Sequence, residues 1–538
     1  MDESAFRNLP DELLESIVFH LLPADTVAFG ATCKRNNKIT YEPLVWRRHC
    51  QDGWRYWAAE HEIEEKLKSP PAQVKWRSLY SERARIDKDA LEKFNALLQT
   101  QQYRLQRMEE VAAMGYDVKD LMLEMRDRTP DDAEDVLARR YHANAILGQL
   151  HRGTAIEKWT RLQKQQMVAL EEVLGAYDLF VLTGQRGDLS DISRELDRLA
   201  ECIKARDPEF DDLSIRVKAT RIAKYLRSEQ LVGNPNSEDY HALRNNFISM
   251  ALFDEVHTSL PLQSVAIYCA VARRLGINAK PSNYPAHVHA VIEAPADVTL
   301  DGKPKAPASQ GAESPEPEIM HMDPWWSSDE VPRRQLTLRL SQMGAPAAQH
   351  AYHLGATSTH EIAVRTGRNI MNSVQEARDR QRGTTRRSPV PDIESAWYSM
   401  LWSMIILGDN SPQATLHRRR QCLPYLIEHY QSHFPEDIGL IENTIAPMFE
   451  GEREHHVLMH LITTARRSDE MKKAPNPRGE NTKGVSFKIG QHFQHKRYGY
   501  EGVVIGWDLR CGAEDRWIMQ MRVDDLPRGR EQPFYNVV

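Results

Sequence analysis

The sequence predicts a multidomain, mainly α chain with some α+β character: a helical N-terminal module, a largely helical middle domain and a small C-terminal β-barrel. Three observations carry that expectation. Apolar residues recur at helical spacing over most of the chain up to about residue 466, with a strand-like alternation near residue 290. Past a Pro/Gly-rich linker at Ala474–Gly479, the pattern changes to short apolar runs punctuated by glycine. The length of 538 residues and a hydrophobic content of 41% support several real cores.

The first fifty residues read Leu9-Pro10-Asp11-Glu12-Leu13-Leu14, then Ile17, Leu21-Leu22, Cys33 and Leu44-Val45-Trp46. Pro10 suits a first helical turn, where its missing N–H costs nothing. Asp11 and Glu12 favour the positive end of the helix dipole. Leu13, Leu14, Ile17, Val18, Leu21 and Leu22 make one face broadly apolar. So short a module rarely supports its own core with that much apolar surface, so the surplus calls for a partner.

Residues 56–168 read as a helical linker region, with Leu91, Phe94, Leu98, Leu105 and Met108 forming a core-type stripe. A middle domain spans 169–470. Its landmarks are a turn at Gly233-Asn234-Pro235, a helix from about Pro261 to Leu275 ended by Gly276, and an alternating strand from His287 to Ala294. Residues 295–318, rich in Pro, Ala, Ser and Gly, read as a disordered insertion. Helices resume at about Glu361–Ala377, Ile393–Leu407 and 413–466, with an arginine-rich solvated loop at Arg378–Arg387. The C-terminal module covers 484–538, with strands expected at Val503–Ile505, Trp517–Met519 and Met521–Val523.

Composition narrows the function classes. A formal charge of -6 gives no global drive toward nucleic acid or acidic lipid. The cysteines at 33, 50, 202, 269, 422 and 511 form no Cys-x-x-Cys pair, which argues against a zinc finger or disulfide framework. No apolar run is long enough for a bilayer, and no signal peptide opens the chain. The expected compartment is cytoplasm, nucleus or both. Glycine-rich phosphate loops are absent, and the His455, His456, His460 and His350, His353, His360 groups lack a convincing third ligand. Neither a cofactor nor a metal is expected.

The N-terminal pattern resembles the F-box, and 1–55 is read as that module. The resemblance implies docking on the Skp adaptor, and through it a cullin–RING ubiquitin ligase, with Leu9, Pro10, Leu13, Leu14, Ile17 and Trp46 as the partner-binding residues. The motifs Asn245-Asn246-Phe247, Leu260-Pro261-Leu262-Gln263-Ser264, His287-Val288-His289 and Met322-Asp323-Pro324-Trp325-Trp326 resemble the SirB-type branch of the transglutaminase-like superfamily. Its active members use a Cys–His–Asp triad for acyl chemistry. The His and Asp fall on His287 and Asp323, but the helix start offers Ser264 in place of a thiol. Cys269 sits two turns in, on an apolar stripe. The domain is therefore expected to be catalytically silent, with His287 and Asp323 vestigial.

The tail, from Gly490 through His495-Lys496-Arg497-Tyr498-Gly499-Tyr500 and Gly506-Trp507-Asp508 to Gln532-Pro533-Phe534-Tyr535, resembles the YccV-like (hemimethylated DNA-binding, HspQ-type) domain. His495, Lys496, Arg497, Tyr498, Tyr500 and Trp507 are its candidate surface, with Tyr498, Tyr500, Trp507 and Phe534 also placed as barrel core and groove. From 481 to 538, nine Lys/Arg face seven Asp/Glu, so only weak DNA binding is expected, and protein contact is favoured. Relatives continue with a closing strand, so either truncation or closure against the middle domain is expected. The combined order resembles a eukaryotic F-box-only type. It implies a non-catalytic substrate-recognition subunit of an SCF-type ubiquitin ligase with an unknown protein substrate. The alternatives are a DNA-associated adaptor and a transglutaminase-like hydrolase or transferase.

Overall fold

The computed structural model describes residues 9–133, 135–182, 184, 186–233, 240–305, 317–381, 391–409, 411–472, 479–496, 499–513 and 515–538. Among the described residues four short helices come first: α1 (Asp11–Phe19), α2 (Pro23–Gly30), α3 (Lys34–Ile39) and α4 (Pro43–Gly53). Leu14 and Val18 of α1 meet Ile39 and Val45 in a small core. Trp46 belongs to the next core, with Cys50, Trp76 and Leu79. Shared packing thereby joins the module to the helices C-terminal to it.

A helical region continues with α5 (Ile63–Lys68), α6 (Trp76–Gln99), α7 (Arg104–Ala112), α8 (Lys119–Asp127) and the 28-residue α9 (Val136–Gln163). Phe94, Leu97, Met108, Val111, Met122 and Ile146 form its core, close to the expected stripe. Then come α10 (Leu170–Val181), α11 (Leu189–Arg206), α12 (Ile215–Ser228), α13 (Ile248–Phe253) and α14 (Pro261–Arg274). The core crosses residue 169 without a break. Ala155, Ile156 and Trp159 of α9 pack with Val173, Tyr177 and Phe180 of α10, and the Trp159 indole donates to the Val173 carbonyl at 3.2 Å.

α14 begins with Pro261 at its first position and is buried on almost every side, as expected of a helix apolar all round. Gly276 follows it at φ +77, the left-handed conformation that ends such helices. Four antiparallel strands lie beside it in the order β1 (Asn278–Pro281), β2 (Ala290–Glu293), β3 (Ile319–Met322), β4 (Glu330–Val331). The longer helices that follow among the described residues are α15 (Arg333–Gln342), α16 (His350–Leu354), α17 (Thr359–Gln381), α18 (Ile393–Leu407), α19 (Pro412–His433) and α20 (Arg453–Glu470), with short helical turns over 438–449. Asp469 of α20 accepts the Leu105 and Gln106 N–H groups at 3.0 and 3.2 Å, capping α7 from the far end of the chain.

Several expectations are corrected. Regular strand begins at Ala290, not His287, because a tight turn precedes it. Residues 295–305 are not a disordered insertion: Leu300 is buried in the core, and its carbonyl accepts the Arg216 N–H at 3.0 Å. The rest of that segment, 306–316, lies outside the described residues. Helix α17 runs on to Gln381, so Arg378 and Arg380 are helical, not in a loop. Arg382 to Arg387 and most of the linker at 474–479 also lie outside the description.

The tail is a three-stranded antiparallel sheet, β5 (His492–Gln494), β6 (Glu501–Asp508) and β7 (Phe534–Val537), with no closed barrel among the described residues. The Phe534-Tyr535 segment itself supplies the last strand, and Val538 exchanges two backbone hydrogen bonds with Val503 at 2.8 and 3.1 Å. The strands expected at 517–523 are instead a short helix, α21 (Asp515–Gln520), and a 3-10 turn at Val523–Asp525. Ile518 and Val523 are the buried residues there, a spacing that alternation cannot produce. Arg530 holds both ends of this corner, 2.9 Å from Asp515 and 2.8 Å from Asp524.

Candidate functional sites

The N-terminal module presents a row of apolar side chains that its own core does not use. Leu13 and Ile17 on α1 are 52% and 40% exposed, and Phe19, Leu22, Val27, Tyr41 and Leu44 are exposed with them. Pro10 is exposed and Leu9 half-buried. Leu14 and Trp46 correct the sequence reading: at 1% and 2% exposure they cannot touch a partner. Leu14 falls on the inward face of α1. Trp46 packs edge-on against His49 and Tyr80, and its indole donates to the Thr40 carbonyl at 2.6 Å. Both residues set the shape of the outer row from behind.

Residues 54–61 fasten this module to the body through polar contacts that sequence reasoning missed. The Trp54 indole donates to Asp87 at 2.6 Å, and the Arg55 and Tyr56 N–H groups donate to Asp120 at 3.0 and 2.9 Å. Arg55 pairs with Asp191 at 2.7 Å, and His61 with Asp117 at 2.7 Å. Behind them, Lys119 and Asp188 form a fully buried pair at 2.7 Å, with the ammonium over the Tyr56 and Tyr116 rings. Burial pulls the Lys119 pKa down against its partner's charge. For Asp188, burial alone raises the pKa, but Lys119 outweighs it and holds the carboxylate low. Nothing in the linear pattern marks residues so far apart as partners.

In the middle domain, the β2–β3 register pairs Ala290 with Met322, so its next step sets His289 opposite Asp323. His287 Nε2 lies 2.9 Å from Asp323 Oδ2, and His289 Nε2 lies 3.9 Å from the same oxygen. The approach to His287 is a tight turn: its N–H donates to the Pro285 carbonyl at 2.7 Å, and Ala286 between them sits at φ +60, a strained conformation for a residue with a Cβ. Ser282 Oγ accepts the His289 N–H at 3.0 Å. Trp325 packs edge-on against His287 and is pinned by donating to the Ser259 carbonyl at 2.8 Å. A cleft of about 160 Å³ opens beside this point, lined in part by Tyr240, His241, Leu262, Ala286, Val288 and Arg365.

Burial raises the Asp323 carboxyl, but the His287 contact, with His289, overrides it and leaves the pKa below the ordinary value. Burial pushes the His289 imidazole down to about 4, so it is neutral at physiological pH. The expected partners of such a dyad differ from an acyl-transfer site. Ser264 is fully buried at the fourth position of α14, its Oγ accepting the Gly233 N–H at 3.0 Å and 2.6 Å from Ser259 Oγ. Cys269 is buried among Leu262, Val265 and Leu275, and burial pushes its thiol pKa far up, away from the reactive thiolate. His350, His353, His360 and His455 each lie within hydrogen-bond reach of a backbone carbonyl, which accounts for them as structural groups. Alternation along the sequence sets His289 on the same face as His287 without singling it out, although a His-x-His pair entering a strand is the available signal.

On the tail, Tyr500 is 47% exposed, so it is not core as expected, and it stacks on His495 at 4.7 Å between ring centroids. Trp507 and Phe534 are half-buried across the β6–β7 ladder, where Trp507 pairs with Tyr535. Arg497 and Tyr498 lie outside the described residues. Ile489, Ile505, Trp517, Met519 and Met521 are exposed.

With this geometry in place, the chain resolves into three recognisable regions. Residues 6–52 match the F-box-like family, 190–368 the transglutaminase-like superfamily and 485–538 the family described as hemimethylated DNA-binding protein YccV like. Over nearly its whole length the chain is similar to F-box only protein 21. It is 23% identical to the Pongo abelii protein over 583 residues and 23% identical to the Homo sapiens protein over 590. Each alignment covers 99% of this chain and 84% of the relative. No solved structure matches the chain. These similarities support an F-box substrate-recognition role.

Proposed function

We propose that the chain is a substrate-recognition subunit of an SCF-type ubiquitin ligase, working in the cytoplasm or nucleus. The row around Leu13 and Ile17, with Leu9 and Pro10, docks the Skp adaptor and through it the cullin–RING assembly. The middle domain and tail hold a protein substrate near the ubiquitin-charged enzyme, which raises its effective concentration there. The observation that carries this reading is the exposed apolar row on α1 to α4, with its own core satisfied behind it. Contiguous apolar surface of this kind on a small module marks an interaction site.

The chain performs no bond chemistry in this reading. The buried Ser264 and Cys269 leave the His287–Asp323 pair without an accessible nucleophile beside it, so the pair is vestigial as an acyl-transfer site. The tail engages protein through its exposed apolar residues, and duplex DNA only weakly.

The test is co-purification of the Skp adaptor and cullin with the full chain and with a chain lacking residues 1–53, together with mass spectrometry of everything retained. The full chain should recover both ligase components and the truncated chain neither. Equal recovery would refute the docking role.

A further inference from the structure

Among the described residues, two clusters bring three ligand-type side chains within 4.8 Å: His287–His289–Asp323 and Glu394–His429–His433. Protein contacts account for the second. His429 Nε2 lies 2.9 Å from the Glu394 carbonyl oxygen, and the Glu394 carboxylate binds Arg378 at 2.6 Å. The first is different. His289 is 1% exposed, yet neither of its ring nitrogens has a hydrogen-bond partner. A buried polar group left in that condition is costly, and native structures normally satisfy it.

We propose that His287, His289 and Asp323 form a binding site for a divalent transition metal of the zinc class. Two imidazoles and one carboxylate are a donor set suited to such ions. With metal–ligand bonds of about 2.0–2.2 Å, donor atoms of a tetrahedral site stand about 3.4 Å apart. The observed separations from Asp323 Oδ2, 2.9 Å to His287 and 3.9 Å to His289, each differ from that by roughly half an ångström. The ligands arrive on backbone that is already fixed. Ser282 holds His289, the strained turn at Ala286 aims His287, and the Trp326 N–H donates to Asp323 Oδ1 at 3.3 Å. Oδ2 of the same carboxylate is the oxygen that faces both imidazoles. Three protein ligands leave a fourth position for water.

The site is independent of adaptor docking, which uses the N-terminal module. The experiment takes the full chain co-purified with adaptor, free of any histidine tag, stripped with chelator and titrated with zinc by calorimetry and with cobalt by absorption. One equivalent should bind, and the cobalt spectrum should show tetrahedral ligand-field bands. His287→Ala, at a side chain 31% exposed and so tolerant of change, should weaken affinity by at least about tenfold. Asp323→Asn should do the same, while His433→Ala in the second cluster should change nothing. Circular dichroism checks folding, and His287→Ala decides if Asp323→Asn unfolds. No binding by the unaltered chain, or an unchanged equivalent in His287→Ala, overturns the proposal. Adaptor capture should persist in every variant.

Discussion

Replacing Leu13 and Ile17 together by alanine removes the centre of the exposed apolar row while leaving the module's core intact. Their side chains are 52% and 40% exposed, so a docking partner covers about half of each. Fully burying a large aliphatic side chain is worth about 1.5–3 kcal/mol, so half-burial is worth about 0.7–1.5 kcal/mol apiece. The pair together contributes about 1.4–3 kcal/mol, equivalent to a rise in Kd of about 10- to 150-fold at 1.4 kcal/mol per decade. Calorimetric titration of purified adaptor into the full chain reads this directly. Leu14→Ala is the contrasting variant. Leu14 packs on Val18, Ile39 and Val45, so its loss costs about 2–5 kcal/mol of module stability and should appear as lost helicity. An adaptor Kd within twofold of the unaltered chain for the double variant, with helicity preserved, would refute the assignment of this face.

The same geometry yields other outcomes. Lys119→Met leaves Asp188 buried without its partner and should cost about 3–5 kcal/mol in denaturant unfolding. Equal stability would show that the pair does not brace the junction. Asp178 is fully buried, with its carboxyl raised by burial from 3.8 to about 7. The fold therefore keeps a proton that the unfolded chain sheds, and stability present below pH 3.8 is lost as the pH rises to 7. That loss is on the order of 4 kcal/mol, and Asp178→Asn should flatten it in unfolding curves taken at pH 4 to 8. Cys269 should resist a thiol-reactive acyl probe until the chain is unfolded, and stoichiometric labelling in the folded chain would restore the enzyme reading. Any affinity of the tail for duplex DNA should fall steeply with salt, and Lys496→Ala should reduce the log–log slope by about 0.9 if Lys496 contacts a phosphate.

What the sequence conveyed was local or periodic. The first helix was readable from Pro10, Asp11 and the leucine spacing, and α14 from Pro261 and Gly276, because caps and 3.6-residue periods are written in neighbouring residues. The pairing of His287 with Asp323 was legible only through family resemblance, since strand register is not encoded at either residue. The burial of Trp46 was not legible at all: a tryptophan at helical spacing looks alike whether it faces a partner or its own core. The tail misled for a related reason. Trp517-Ile518-Met519 has strand-forming composition, yet a helical corner there buries Ile518 and Val523, and tertiary burial overrides local propensity.

The polar junction gives the proposed assembly a physical requirement. A recognition subunit raises effective concentration most when the distance and angle between its adaptor face and its substrate face are held, since a loose tether spreads the substrate over a larger volume. Residues 54–61 meet that requirement with short, partly buried contacts. Asp120 receives two consecutive backbone N–H groups, Asp117 takes both Ala58 N–H at 3.0 Å and His61, and Arg55 reaches Asp191 on α11 of the middle domain. Each bond constrains direction as well as distance, whereas apolar packing alone permits sliding. Lys119 and Asp188 add a buried charge pair between the helical region and the middle domain. These contacts join the N-terminal module to the middle domain, and in the proposed assembly they would fix where a substrate is held relative to the ligase.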